Sequence, residues 1–232
     1  MGPAVVSGVG EPLPAAGVGA EPGREVLGRV GDTMVRRRLV PSHDGVCEFG
    51  KAWAEAAGYI REAIDVLLFC ARQMRARSLP RLTQHVPGEE SYQHHWPRGV
   101  TLVIAPWNFP MAILTGMVSA ALVTGNTVIM KPAEQSAVCG AMVMEMFEEA
   151  GVPAGVLNFL PGKGRVIGAH LVAHTDVDMI AFTASRAFGL RIWESAGHPL
   201  PGQRYLTLVW PEMAAKHSGV VASVAYPADD AH

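Results

Sequence analysis

The sequence predicts an α/β fold: a Rossmann-like open parallel sheet with flanking helices, preceded by a long amphipathic helix. Three observations carry this. Between Gly99 and Trp210, five short apolar, β-branched runs alternate with stretches of helical spacing. Such alternation builds βαβ units whose parallel sheet is covered on both faces. Between Gly50 and Arg77, residues Trp53, Ala57, Ile60, Ile64, Leu67, Ala71 and Met74 recur at steps of four and three, one face of a helix. The segments joining these runs are rich in Gly, Pro and helix-capping residues.

The elements follow in order. Residues 1–45 are rich in Gly, Pro, Ala and Val without a period, and are expected to be irregular and poorly ordered; residues 46–232 are expected to form the folded unit. After the amphipathic helix, Leu79 to Pro97 is polar and carries Pro80, Pro87 and Gly88, so it reads as a connector. Gly99 to Ala105 is a buried strand. Pro110 to Val123 reads as a helix, with Gly125 and Asn126 as its stop. Thr127 to Met130 is the second strand. Ser136 is placed to cap a helix running to Ala150, with Gly151 just past its end. Val156 to Leu160 is the third strand, and Gly162 to Gly168 opens a short helix. Met179 to Phe182 is the fourth strand, Ser185 to Ala196 a helix, and Tyr205 to Trp210 the fifth strand.

Composition narrows the functional classes. Hydrophobic residues make up 49% and charged residues 17%, enough for a core and against general disorder. A net charge of -2 argues against nucleic acid as a partner. The one dense basic run, Arg36-Arg37-Arg38, reads as a surface patch. Three cysteines, Cys47, Cys70 and Cys139, have no paired spacing, so a disulfide framework is not expected and a reducing, cytoplasmic setting is. No basic segment followed by an apolar one opens the chain. The longest apolar stretch, Pro110 to Val123, is interrupted and too short for a bilayer, so no membrane partner is expected. Nine histidines, among them His94-His95, show no ligand constellation, and no metal is expected.

Chemistry is expected at the carboxyl ends of the strands, where parallel sheets bind ligands. The first strand ends in Pro106-Trp107-Asn108-Phe109-Pro110. The prolines stiffen this loop, and Asn108 offers an amide donor for a developing oxyanion. Taken alone, it is as readily a structural turn around a buried aromatic. The second strand ends in Lys131-Pro132-Ala133-Glu134, a cation and a carboxylate able to hold ribose or phosphate; alone, such a pair is more often a solvated surface pair. The third leads into Gly162-Lys163-Gly164, with Gly168 beyond, a weak dinucleotide pattern by itself. After the fourth strand, Ser185 can cap a helix whose free N–H groups meet a pyrophosphate.

Together with Glu212-Met213-Ala214-Ala215-Lys216, these ordered motifs make the chain similar to the aldehyde dehydrogenase superfamily over roughly Phe49 to Asp230. Lys51-Ala-Trp-Ala-Glu55, Glu62-Ala-Ile-Asp65, Thr115-Gly-Met117, Lys131 to Ser136 and Pro201-Gly-Gln203 most resemble its L-glutamate gamma-semialdehyde (1-pyrroline-5-carboxylate) dehydrogenase branch, which serves proline catabolism. The resemblance implies NAD as cofactor, with NADP left open, and a small-molecule aldehyde as substrate. It implies cofactor contacts from Pro106, Trp107, Lys131, Glu134, Gly162 and Ser185. Asn108 and Glu212 would be catalytic, the first on the oxyanion and the second as a half-buried base. A homo- or hetero-oligomer is in keeping with it.

The chain departs from the family in three places. Ala184 stands where the family has glycine, and so do Ala214 and Ala215. The family's nucleophilic cysteine follows the base glutamate by some tens of residues, and no cysteine follows Glu212 here. Cys70 and Cys139 read as core residues. Residues 46–232 are thus expected to be a truncated, partial NAD-binding domain, inactive alone. The other reading is a non-catalytic nucleotide-binding or assembly module that works with a complete dehydrogenase.

Overall fold

A computed structural model describes residues 20–39, 41–42, 50 and 52–213. Expectations for residues 1–19, Cys47, Ala214 and Ala215 lie outside them.

Five strands form one parallel sheet in the order β5-β4-β3-β6-β7. They are β3 (Val100–Ile104), β4 (Thr127–Lys131), β5 (Leu157–Phe159), β6 (Met179–Ala184) and β7 (Leu208–Met213). Alternation along each strand feeds two cores. Val103, Val128 and Met130 join Leu114, Val118, Val143 and Phe147 on one face. Leu102, Ile104, Ile129, Ile180 and Phe182 join Leu171, Val177 and Ile192 on the other. Burial on both faces is why β3, β4 and β6 read as continuous apolar runs, whereas the edge strand β7 alternates exposed and half-buried residues.

The connecting helices are α3 (Ala112–Val123), α4 (Ala137–Glu149), the short α5 (Ala169–Val172) and α6 (Arg186–Ala196). Gly125 and Gly151 close α3 and α4 at φ 87° and 85°, a backbone conformation that favours glycine. Ser185 caps α6, its hydroxyl accepting from the Phe188 N–H at 3.4 Å. Ser136 differs from expectation. A single 3₁₀ turn (Glu134–Ser136) intervenes, and the Ser136 hydroxyl donates to the Ala133 carbonyl instead of capping α4. Gly189 lets α6 lie on the sheet: a Cβ there would fall 2.8 Å from Met213 and 2.9 Å from Phe182.

Two helices precede the sheet. The predicted amphipathic helix is present as α2 (Trp53–Arg77), with Ala56, Ile60, Ala63, Leu67 and Met74 buried. Trp53, counted on its inner face, is 52% exposed at its first turn. The other, α1 (Ala20–Arg37), overturns part of an expectation, since it lies inside the stretch read as irregular. Pro22, Gly23, Gly28 and Gly31 obscure it in the sequence, but Leu27, Val30 and Met34 are spaced three and four apart and fully buried. Arg29 donates to the Ala150 carbonyl at the end of α4 at 2.8 Å, and Arg37 pairs with Glu145 at 3.0 Å. Arg36, from the same basic run, pairs with Glu149 at 3.2 Å. The polar connector is also more ordered than expected. It forms an antiparallel hairpin, β1 (Arg81–Val86) and β2 (Glu89–Gln93), turned by Pro87 and Gly88, the latter at φ 87°. Its residues are almost all exposed, so the apolar alternation that marks a half-buried strand is missing.

At the amino ends of the strands, two buried side chains fix their relative positions. The Asn126 carbonyl oxygen accepts from the Arg98 and Gly99 N–H groups at 2.7 and 3.0 Å, while its amide donates to the Ala121 carbonyl. An Asp178 carboxylate oxygen accepts from the Val100 N–H at 2.9 Å. Among the described residues, no helix is long and apolar enough to cross a membrane.

Candidate active-site cleft

At the carboxyl ends of the strands lies a cleft of about 1000 Å³, the size range of a cofactor site. Pro106 and Trp107 line it from the loop after β3. Lys131, Ala133, Glu134 and Gln135 come from the end of β4, and Lys163, Gly164, Arg165 and Gly168 from the segment after β5. Thr183, Ala184, Ser185, Phe188 and Arg191 complete it from β6 and α6. Four separate loop ends converge here because the four strands run parallel and in register.

Lys131 is the most constrained group in the cleft. Its residue is 3% exposed, and Nζ donates to the Pro132 carbonyl at 2.9 Å. Burial lowers its pKa from the usual 10.5, and the Glu134 carboxylate partly opposes that shift. Gly168 packs beside the lysine stem, where a Cβ would make ordinary van der Waals contact with Cε at 3.6 Å. Glu134 is exposed at the start of its 3₁₀ turn. Ser185 and Phe188 open the first turn of α6 to the cleft, so the backbone N–H groups of that turn border it, the Phe188 N–H being taken by the Ser185 hydroxyl.

Pro106, Trp107, Lys131, Glu134 and Ser185 therefore line one cleft. Gly162 is not in that lining, but at φ 146° it turns the chain so that Lys163 and Gly164 are. Asn108 is exposed and outside the lining, next to Trp107. Its loop is held to α2 by an edge-on contact between Phe109 and Tyr59, ring centroids 4.7 Å apart. Trp107 is 54% exposed, so the loop is not a turn built around a buried tryptophan. Glu212 stands opposite Thr183 on β7 and accepts a hydrogen bond from its hydroxyl at 2.8 Å. The carboxylate is exposed, not half-buried, and touches the cleft only through Thr183.

Ala184 carries a methyl into the wall where glycine would leave room, and no described non-glycine residue has positive φ. Arg165, Thr183 and Arg191 were not singled out from the sequence. Phe188, Arg191, Ile192 and Ser195 follow helical spacing from Ser185, which is the pattern that points Arg191 at the cleft. Neither described cysteine lines it. Cys139 is fully buried in the core beside the sheet. Burial pushes the Cys70 thiol pKa up, against a weaker lowering by the Ser119 hydroxyl.

The Aldehyde dehydrogenase family sequence profile matches residues 18–229. The 1-pyrroline-5-carboxylate dehydrogenase of Bacillus mycoides is 43% identical over 197 residues, which are 85% of this chain and 38% of that protein. Among solved structures, a 1-pyrroline-5-carboxylate dehydrogenase from Thermus with bound NAD superposes with a TM-score of 0.83 at 42% identity, over 85% of this chain and 38% of the other. Proline utilization A from Bdellovibrio bacteriovorus superposes with a TM-score of 0.83 at 47% identity, over 86% of this chain and 21% of its own. The chain thus spans 38% of the length of the curated relatives it matches.

Proposed function

The chain belongs to the aldehyde dehydrogenase family, and from that premise we propose that its cleft binds a nicotinamide dinucleotide, NAD, for the oxidation of L-glutamate gamma-semialdehyde to glutamate. The observation that supports this most is the convergence of Trp107, Lys131, Glu134 and Ser185 on one cleft at the carboxyl edge of the sheet. The relatives' names supply the choice of aldehyde.

The residues present fit such a ligand. Lys131 and Glu134, side by side at the end of β4, offer a donor and an acceptor to the ribose hydroxyls of the adenosine half. Ser185 and the first turn of α6 offer N–H donors and the positive end of a helix dipole to the pyrophosphate. Pro106 and Trp107 form an apolar wall between these two groups. When bound, the dinucleotide supplies the hydride acceptor. Asn108 would donate its amide to the oxyanion that forms at the aldehyde carbon, and Glu212 would take a proton from the attacking thiol or water.

The oxidation also needs a thiolate to form the hemithioacetal, and no described cysteine reaches the cleft. The 232-residue chain is therefore expected to bind the dinucleotide without turnover. That absence also favours a second reading, a nucleotide-binding module that assembles with a complete dehydrogenase subunit. Thermal unfolding with rising NAD tests binding: stability should increase by about 2.7 kcal/mol at a hundredfold excess over Kd. No such increase would remove both readings. Formation of NADH from glutamate semialdehyde by the pure chain would overturn the expected inactivity. A change in the activity of a complete homologue on mixing would favour the module.

A further inference from the structure

We propose that Lys131 is a covalent site for small aldehydes that carry a phosphate or carboxylate group, its Nζ condensing with the aldehyde carbon to give a reversible imine. The proposal goes beyond the dinucleotide reading of the cleft and needs neither a bound cofactor nor a cysteine.

The amine has the surroundings that such a reaction requires. Lys131 is 3% exposed and yet lines the cleft, so a small molecule reaches it by that route. Ile104, Ala105, Pro106, Ala133 and Val172 border the same cavity and give it an apolar lining. An ammonium taken out of water loses hydration that the single Pro132 carbonyl replaces only in part, and burial accordingly lowers the Lys131 pKa. A lysine desolvated in this way is activated as a nucleophile. The bond to the Pro132 carbonyl uses one N–H, and in the neutral amine it leaves the nitrogen lone pair unengaged.

The step is a condensation without change of oxidation state. The lone pair forms a bond to the aldehyde carbon, and the former carbonyl oxygen takes up a proton to give a carbinolamine. Loss of that hydroxyl as water, together with the remaining nitrogen proton, closes the C=N bond. Glu134, the one carboxylate of the lining and near enough for its charge to act on Lys131, is placed to carry the nitrogen proton to the departing hydroxyl. Charge selects the aldehyde. Lys163, Arg165 and Arg191 line the same cleft and are exposed, so three further cations face a single carboxylate. An aldehyde whose other end is a phosphate or carboxylate gains charge-assisted hydrogen bonds from them. Lys163 carries the same amine, but on an exposed segment water solvates its charge.

Four lysines, Lys51, Lys131, Lys163 and Lys216, make the site straightforward to map. The full chain is treated with pyridoxal 5′-phosphate, pyridoxal or succinic semialdehyde, reduced with cyanoborohydride, and analysed by peptide mass spectrometry. The expected result is that the two anionic aldehydes label Lys131 at least about tenfold more than Lys163, and that pyridoxal, lacking the phosphate, labels Lys131 about tenfold less. Lys131→Met, its fold checked by circular dichroism, should lose this label, while Lys163→Ala should keep it on Lys131. Label heaviest on Lys163, label spread evenly over the four lysines, or equal labelling by pyridoxal and its phosphate would overturn the proposal; the map of the unsubstituted chain decides this even if the Lys131 variant fails to fold. NAD added first should shield Lys131. Labelling of Lys131 that NAD leaves undiminished would keep the proposal standing and count against the dinucleotide reading.

Discussion

Lys131 illustrates a group whose proposed binding role and stability conflict. Its ammonium is buried with one carbonyl as partner, and burial holds its pKa below 10.5. Between that lowered value and 10.5 the unfolded chain binds a proton that the folded chain does not, so stability rises with pH across this interval. Below it, the cost of burying the charge is fully present. Lys131→Met keeps the length of the stem and removes the charge. It should leave the fold as stable or more stable by about 1 kcal/mol at neutral pH, while weakening NAD binding about tenfold. Urea unfolding at neutral and alkaline pH, with parallel titration of NAD, checks both; clear destabilisation at neutral pH would contradict the account. The position of Lys131, Glu134 and Ser185 in the cleft was legible in the sequence because each sits at a strand end, where parallel sheets open their clefts. Arg165 and Arg191 were not, because an arginine on a loop or helix looks like ordinary solvated surface until the fold shows what it faces.

Among the elements, the central strands were legible because burial on both faces leaves uninterrupted apolar runs such as Val100 to Ile104, whereas the edge strand β7, expected at Tyr205 to Trp210 and found at Leu208–Met213, alternates exposed and half-buried residues. The hairpin β1–β2 was not, since two exposed polar strands carry no periodic apolar pattern. Helix α1 was missed for the opposite reason: its glycines and Pro22 argued against a helix that tertiary packing stabilises. The packing of α1 has a measurable consequence. Leu27 is 1% exposed within the core that also holds Leu122 and Val156. Leu27→Ala should cost about 2–5 kcal/mol in chemical denaturation, the range for a large-to-small change in a packed core. In an irregular segment the same change would cost no more than about 0.5 kcal/mol.

For the molecule as a whole, the two ends of the sheet do different work. The carboxyl end carries the cleft. The amino end is fastened by Asn126 and Asp178, which take up the N–H groups of Arg98, Gly99 and Val100. Asn126→Ala would strand two of those donors, and a loss of about 2–4 kcal/mol is expected, with the Kd for NAD unchanged within about twofold. A change in Kd as large as the change in stability would show that the ends are coupled. The fold class was readable without coordinates because strand periodicity is local. The assignment of work to the two ends was not, because Asn126 and Asp178 act across 28 and 78 residues of sequence. Anchoring of this kind gives the chain freedom to vary at its opposite rim. Substitutions among the cleft-lining loops can reshape that rim, while the scaffold beneath retains its own separate means of staying assembled.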